Sequence, residues 1–114
     1  MFKPKVSICV LTYGHYTALV QKCINSIVAM CPKGQYKLIV GANAINEETR
    51  SYLVTMKKRK WIHELIISEK NLNKCPMMSK MFQSIDTEYI WWFDDDSYIT
   101  HQDAFDQRLK MAEE

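Results

Sequence analysis

Three consecutive aspartates, Asp94-Asp95-Asp96, follow directly on an aromatic run, Tyr89-Ile90-Trp91-Trp92-Phe93. Carboxylates this close repel one another, and each prefers water or a cation to an apolar neighbour. A divalent cation offsets that repulsion. An all-oxygen donor set favours Mg2+ or Mn2+ over Zn2+. Such an ion neutralises a diphosphate and helps it leave. The bland alternative is a solvated acidic turn that caps the next element. The histidines are weaker candidates. His63 reads as a satisfied core or surface residue, and His101 as a solvent-exposed residue at a helix start. His15 follows Gly14 and is placed to touch a phosphate only by proximity. No Gly-x-x-x-x-Gly-Lys loop, Gly-x-Ser-x-Gly elbow or Cys-His nucleophile arrangement occurs, so a standard P-loop or acyl-transfer centre is excluded.

The elements that must position the aspartates follow from hydrophobic periodicity. Val6-Ser7-Ile8-Cys9-Val10-Leu11 is a nearly continuous apolar run, the pattern of a strand buried on both faces. Val20, Cys23, Ile24, Ile27, Val28 and Cys31 mark one face of a helix, stopped by Pro32-Lys33-Gly34. Lys37-Leu38-Ile39-Val40 predicts a second strand. Asn46 caps the next helix, with Glu47 and Glu48 in its first turn and Lys57 to Lys60 in its last, where each charge suits the dipole. Tyr52, Leu53 and Met56 supply its thin apolar face. Trp61 to Ile67 reads as a third strand and Ser68 to Lys74 as a polar loop. Pro76 then opens a helix with Met77, Met78, Met81, Phe82 and Ile85 on one side, a methionine stripe that fills core.

Tyr89 to Phe93 is the fourth strand; Trp91 and Trp92 point to opposite faces and pack under helices on each. Thr100 with Asp103 resembles a capping box for a last helix, 101 to about 112, anchored by Phe105 and Leu109. Strands alternating with helices predict an α/β fold: a Rossmann-like parallel sheet with helices on both faces. Such sheets bind ligands at the carboxyl ends of their strands, which is where the aspartates fall.

The 114 residues allow one domain. An apolar share of 47% and a charged share of 25% are globular values, and three Gly with three Pro exclude low-complexity classes. No stretch approaches the roughly 18 apolar residues of a membrane helix. Residues 1–60 hold ten Lys/Arg against two Asp/Glu, and residues 61–114 hold five against eleven. That split is unlike a general nucleic-acid binder, and it suits a cleft with cations on one wall and carboxylates on the other. Cys9, Cys23, Cys31 and Cys75 match no common zinc spacing. Cys9 and Cys23 fall on apolar positions as small hydrophobes, so the chain is expected to be reduced and cytoplasmic, with the inner face of the membrane as the alternative location.

Four segments resemble the N-terminal, nucleotide-binding half of a GT-A glycosyltransferase, most of all family 2. Val6 to Tyr13 resembles the opening strand with its Thr-Tyr end. Leu19 to Ile27 resembles the helix ending in a Cys-hydrophobic-x-Ser-hydrophobic pattern, here Cys23 to Ile27. Asn71-Leu72-Asn73-Lys74 resembles the Asn-Leu-Gly-Lys loop. Glu88 to Asp96 resembles the aromatic strand that ends in the DxD metal signature. The order is preserved over nearly the whole chain.

The resemblance implies a UDP- or GDP-sugar donor and Mn2+ or Mg2+. Nucleotide-sugar contacts are then expected from Thr12, Tyr13, Gly14, Ala42, Asn43, Asn73, Lys74, Asp94 and Asp95. Asp96, with Asp94, is expected to bind the metal, and the triple aspartate leaves the register among the three open. Three positions depart from the family. Ala42, followed by Asn43, stands where an aspartate is usual. Asn73 replaces the loop glycine, and Ser79 replaces an asparagine in the next helix.

A GT-A enzyme continues well past its DxD into an acceptor half, so residues 1–114 are expected to be a single truncated donor-binding domain. No catalytic base is assignable. The acceptor is open between glycan, lipid and protein. A half of this kind is expected to self-associate unless residues 97–114 fold back over the exposed surface. The alternative function is a non-catalytic nucleotide-binding or interaction module. A phosphatase or receiver-like domain is disfavoured because the first strand ends in Leu11-Thr12-Tyr13, without an aspartate.

Overall fold

The structure, a computed structural model, describes residues 4–13, 17–70, 74–94, 98–100 and 103–113, and excludes the side chains of residues 74 and 75. The apolar run at the start forms β1, Val6–Tyr13, buried through Thr12. Its lack of alternation reflects its place. β1 lies inside a four-stranded sheet of order β3-β2-β1-β4, with β2 (Tyr36–Asn43) on one side and β4 (Tyr89–Asp94) on the other. β3 (Glu64–Ser68) completes the sheet beyond β2. All three pairings are parallel, so each connection crosses over a face.

Alternation along β1 and β2 sorts the core into two layers. Val6, Ile8, Val10, Leu38, Val40 and Ala42 face α1 (Thr17–Met30), α2 (Glu47–Lys58) and α4 (Ala104–Glu113), meeting Ile24, Leu53 and Phe105 among others. Cys9, Leu11 and Ile39 face α3 (Lys74–Phe82) through Met77 and Met81. Each Val, Leu, Ile, Phe or Met side chain among them contributes about 1.5–3 kcal/mol when fully buried. The expected α/β architecture, with helices on both faces of a parallel sheet, is therefore present. Trp91 and Trp92 take opposite faces as expected. Trp91 lies 4.7 Å from Phe93 and 6.4 Å from Phe105 between ring centroids. Trp92 packs edge-on against Phe82 at 6.2 Å.

Local signals explain most helix ends. Asn46 is the N-cap of α2, and its side chain accepts from Thr49 N at 2.9 Å. Lys57 and Lys58 occupy the last turn of α2, as the dipole favours. α3 starts two residues before Pro76, which stays within the first turn where an N–H has no helical partner.

β2 runs three residues past the expected Val40, through Asn43, and α2 ends at Lys58, short of the expected Lys60. Two further boundaries differ for local reasons. β3 begins at Glu64, not Trp61, because Lys60 adopts φ 66° and the amides of Trp61 and Ile62 both turn back to the Met56 carbonyl. That left-handed turn closes α2 and buries Ile62 before the strand can start. α4 begins at Ala104, so Asp103 directly precedes the helix and does not sit inside its first turn; its carboxylate accepts from the Gln107 amide at 2.9 Å. α4 folds back over the sheet, where Phe105 is buried. Lys5 Nζ meets Glu113 at 3.1 Å across the two ends of this layer.

Candidate functional site

Parallel register brings the strand ends into one row. Tyr13 stands opposite Asn43, and Asn43 opposite Ser68. Neighbouring strands lie about 4.8 Å apart, so these residues line the carboxyl edge of β1, β2 and β3 side by side. Asp94 pairs with Leu11, two residues short of Tyr13. Tyr13 packs with the α3-side layer, and alternation from Ile39, Ile66 and Trp92, which belong to that layer, puts Asn43, Ser68 and Asp94 on the same face. Ser68 carries no signal that distinguishes it from a loop residue, and only the β2–β3 register brings it beside Asn43.

The other sequence-predicted residues divide. Thr12 and Ala42 pair with each other and lie on the opposite face, fully buried. Ala42 packs in the α1–α2 layer, so its methyl fills core. Asn43 is also fully buried, at the edge of the Tyr13 row. Lys74 is the first residue of α3. Gly14, Asn73, Asp95 and Asp96 lie outside the described residues, as do His15 and His101.

Asp94 is exposed, and its Oδ1 accepts from Trp92 Nε1 at 3.3 Å. The indole thus holds the carboxylate on the α3 side. Hard carboxylate oxygens suit Mg2+ or Mn2+. Among the described residues no group of three or more His, Cys, Asp or Glu could hold a metal ion, and Asp94 is the one described member of the triple aspartate. Along the outer edge of β4 a cleft of about 570 Å3 is lined by Trp91, Trp92, Phe93, Tyr98, Ile99 and Arg108, among others. Lys22 Nζ lies 3.9 Å from the Tyr98 ring centroid at its rim.

A buried polar cluster ties the helix starts together behind the edge. Thr17 Oγ1 and Thr49 Oγ1 are 2.6 Å apart, and Thr17 Oγ1 also donates to Asn46 Oδ1 at 3.3 Å. This joins the first residue of α1 to the N-cap of α2. Both helix N-termini face the carboxyl edge, where their dipoles favour anions. Ala44, directly after Asn43, holds φ 50°, a left-handed conformation. Its amide donates to the Ser68 carbonyl at 2.8 Å, which fixes that turn. His63 is remote from this edge. Its Nδ1 accepts from Leu38 N at 2.9 Å, so it is a satisfied surface histidine and not a ligand. Cys9, Cys23 and Cys31 are buried and unpaired with one another, as expected for small hydrophobes. No helix among the described residues is long and apolar enough to cross a membrane.

Solved structures share this fold. S. aureus TarS 1-349 in complex with UDP superposes with a TM-score of 0.78 at 19% identity, over 96% of this chain and 32% of that one. A mannosyltransferase, PcManGT from Pyrobaculum calidifontis in complex with GDP-Man and Mn2+, gives 0.78 at 17% identity, over 95% and 32%. Against another TarS structure the chain covers 20% of the partner's length. The chain thus spans a third or less of these neighbours. No curated protein matches it. The sequence profile named Glycosyl transferase family 2 matches residues 7–114, so with nearly its whole length in that match the chain belongs to glycosyl transferase family 2.

Proposed function

We propose that the chain is the donor-binding part of a glycosyltransferase that transfers a sugar from a UDP- or GDP-sugar with the help of Mn2+ or Mg2+. The observation that carries this reading is the row of Tyr13, Asn43 and Ser68, with Asp94 beside it, on one face of the carboxyl edge. In this reading the Tyr13 ring lies along the nucleotide base, and Asn43 and Ser68 bound its sugar end of the edge. Asp94 and Asp96 hold the metal, which would neutralise the donor diphosphate. Thr12 and Ala42 shape the floor from beneath and contribute backbone only, because their side chains are buried on the other face. Gly14, Asn73, Lys74 and Asp95 complete the donor contacts. The UDP bound by TarS and the GDP-Man with Mn2+ bound by PcManGT support a nucleotide-sugar ligand of this class. The acceptor is a glycan, a lipid or a protein.

One observation favours a second reading, a non-catalytic nucleotide-binding module. Position 42 supplies a core methyl in place of a carboxylate, and Asn43 beside it carries no charge. Release of UDP or GDP in the presence of an acceptor would exclude that reading.

The test is calorimetric titration with UDP, GDP and their sugars, with and without Mn2+. Micromolar binding of one nucleotide that disappears with a chelator is expected. Absence of binding by every nucleotide would overturn the donor site.

A further inference from the structure

Ser26, on α1, joins two segments that are 73 residues apart in sequence. Its Oγ donates to the Cys23 carbonyl at 2.7 Å and accepts from Ile99 N–H at 2.9 Å. A hydroxyl has one proton and two lone pairs. The proton is committed to the preceding turn of α1, and a lone pair is left for Ile99. Ile99 is 7% exposed, so water does not readily replace that acceptor. Cys23, three residues earlier on the same side of the helix, brings its Sγ to 3.9 Å from the Asp94 carbonyl oxygen. One turn of α1 therefore touches the chain at Asp94, where β4 ends, and again at Ile99, on the approach to α4. In sequence, Asp95 and Asp96 fall between those two anchor points.

We propose that Ser26 is a positioning residue of the donor site. By pinning Ile99 on the same turn of α1 that meets the Asp94 carbonyl, it holds the end of β4 and the approach to α4 together, and so the place from which Asp94 faces a metal-bound diphosphate. Ser26 itself touches no ligand. The Cys23 contact is a weak sulfur one, and the Ser26–Ile99 bond is the stronger anchor. This inference rests on the donor-site reading above.

The experiment compares the full chain with Ser26→Ala, Ser26→Thr and Ile27→Val. The last is a core substitution one residue away that lowers stability without touching Ile99. Amide exchange at Ile99, thermal unfolding, and calorimetric titration of UDP and GDP with and without Mn2+ are read for each. Ser26→Ala is expected to speed exchange at Ile99 and to weaken Mn2+-dependent nucleotide binding by about 10- to 100-fold, the usual cost of removing a group that orients metal ligands. Ser26→Thr keeps the hydroxyl and is expected to restore both. Ile27→Val is expected to lower the melting temperature and leave binding intact. Wild-type Mn2+ dependence in Ser26→Ala would overturn the inference alone, as would an equal loss in Ile27→Val or a failure of Ser26→Thr to restore binding. A wild-type chain that binds no nucleotide would overturn the donor-site reading, and this inference with it.

Discussion

Met81 Sδ stands 2.5 Å from the point where a Cβ on Gly41 would lie, and Met77 Cγ and Sδ stand 3.0 Å from it. Gly41 is therefore the recess in β2 that seats α3, the one helix on its face of the sheet among the described residues. The methionine stripe of α3 lies on Cys9, Leu11 and Ile39, with Met77 and Met81 filling the space that a side chain at position 41 would take.

Filling that recess has a predicted cost. Gly41→Ala should destabilise the chain by about 1–3 kcal/mol, the range for overpacking a core. In a Met81→Ala background the same change should cost less by at least about 0.5 kcal/mol, because the two positions share the space. Chemical denaturation of the four-member cycle measures this. Additive effects would show that α3 does not depend on the recess.

His63 makes stability depend on pH. Partial desolvation of this surface imidazole, with Lys37 and Lys57 nearby, holds its pKa below the usual histidine value. Its Nδ1 must also stay unprotonated to accept from Leu38 N. The unfolded chain therefore takes up this proton at a higher pH than the folded one. The contribution is fully present above the unfolded value of about 6.5 and is lost as pH falls below it. Denaturation midpoints of the wild-type chain should drop between neutral and mildly acidic pH, and those of His63→Gln should drop less. Parallel curves would remove His63 from the account.

The buried thiols should be inert in the native state. Desolvation pushes Cys9 up to about 11 and Cys31 up to about 12, and the thiolate is the reactive form. At pH 8 a thiol reagent should leave both unlabelled in the folded chain and label both after denaturation, as read by mass spectrometry of peptides. Rapid native labelling of Cys9 would mean that α3 opens readily from its face.

Asp94→Asn and Asp96→Ala test the metal side of the donor site. Asp94 is exposed, and an asparagine keeps an oxygen that can accept from Trp92 Nε1, so stability should change by less than about 0.5 kcal/mol. Mn2+-dependent nucleotide binding should fall at least about tenfold with either substitution. Unchanged binding in both variants would sink the assignment of the aspartates as metal ligands.

Much of the architecture was legible because its signals are local. The apolar run of β1, the 3–4 spacing of Val20 to Ile27, the Asn46 cap and the methionine stripe each act within a few turns or residues, and each element formed where its pattern lies. Boundaries failed where a short-range bond competed with the pattern. Trp61 has the residue type of a strand, but the Met56 carbonyl captures its amide in the turn that closes α2 after Lys58. Asp94, Tyr13 and Asn43 were legible as site candidates from residue type and family pattern. Ala42 shows the limit of that reading, since a position in a motif does not say which face its side chain takes.

By itself the sequence determined which segments are strands and helices, that the first strand is buried and the sheet parallel, and that the carboxylates follow the last strand, because those properties follow from residue type and period. The tertiary structure alone decided the strand order β3-β2-β1-β4, the register that puts Tyr13, Asn43 and Ser68 in one row, and the reach of Ser26 to Ile99. Those relations join residues far apart in the chain. Parallel strands have no hairpin turn to set their register, so it is set by how Met77, Met81, Leu53 and Phe105 pack over the sheet, which no local pattern carries.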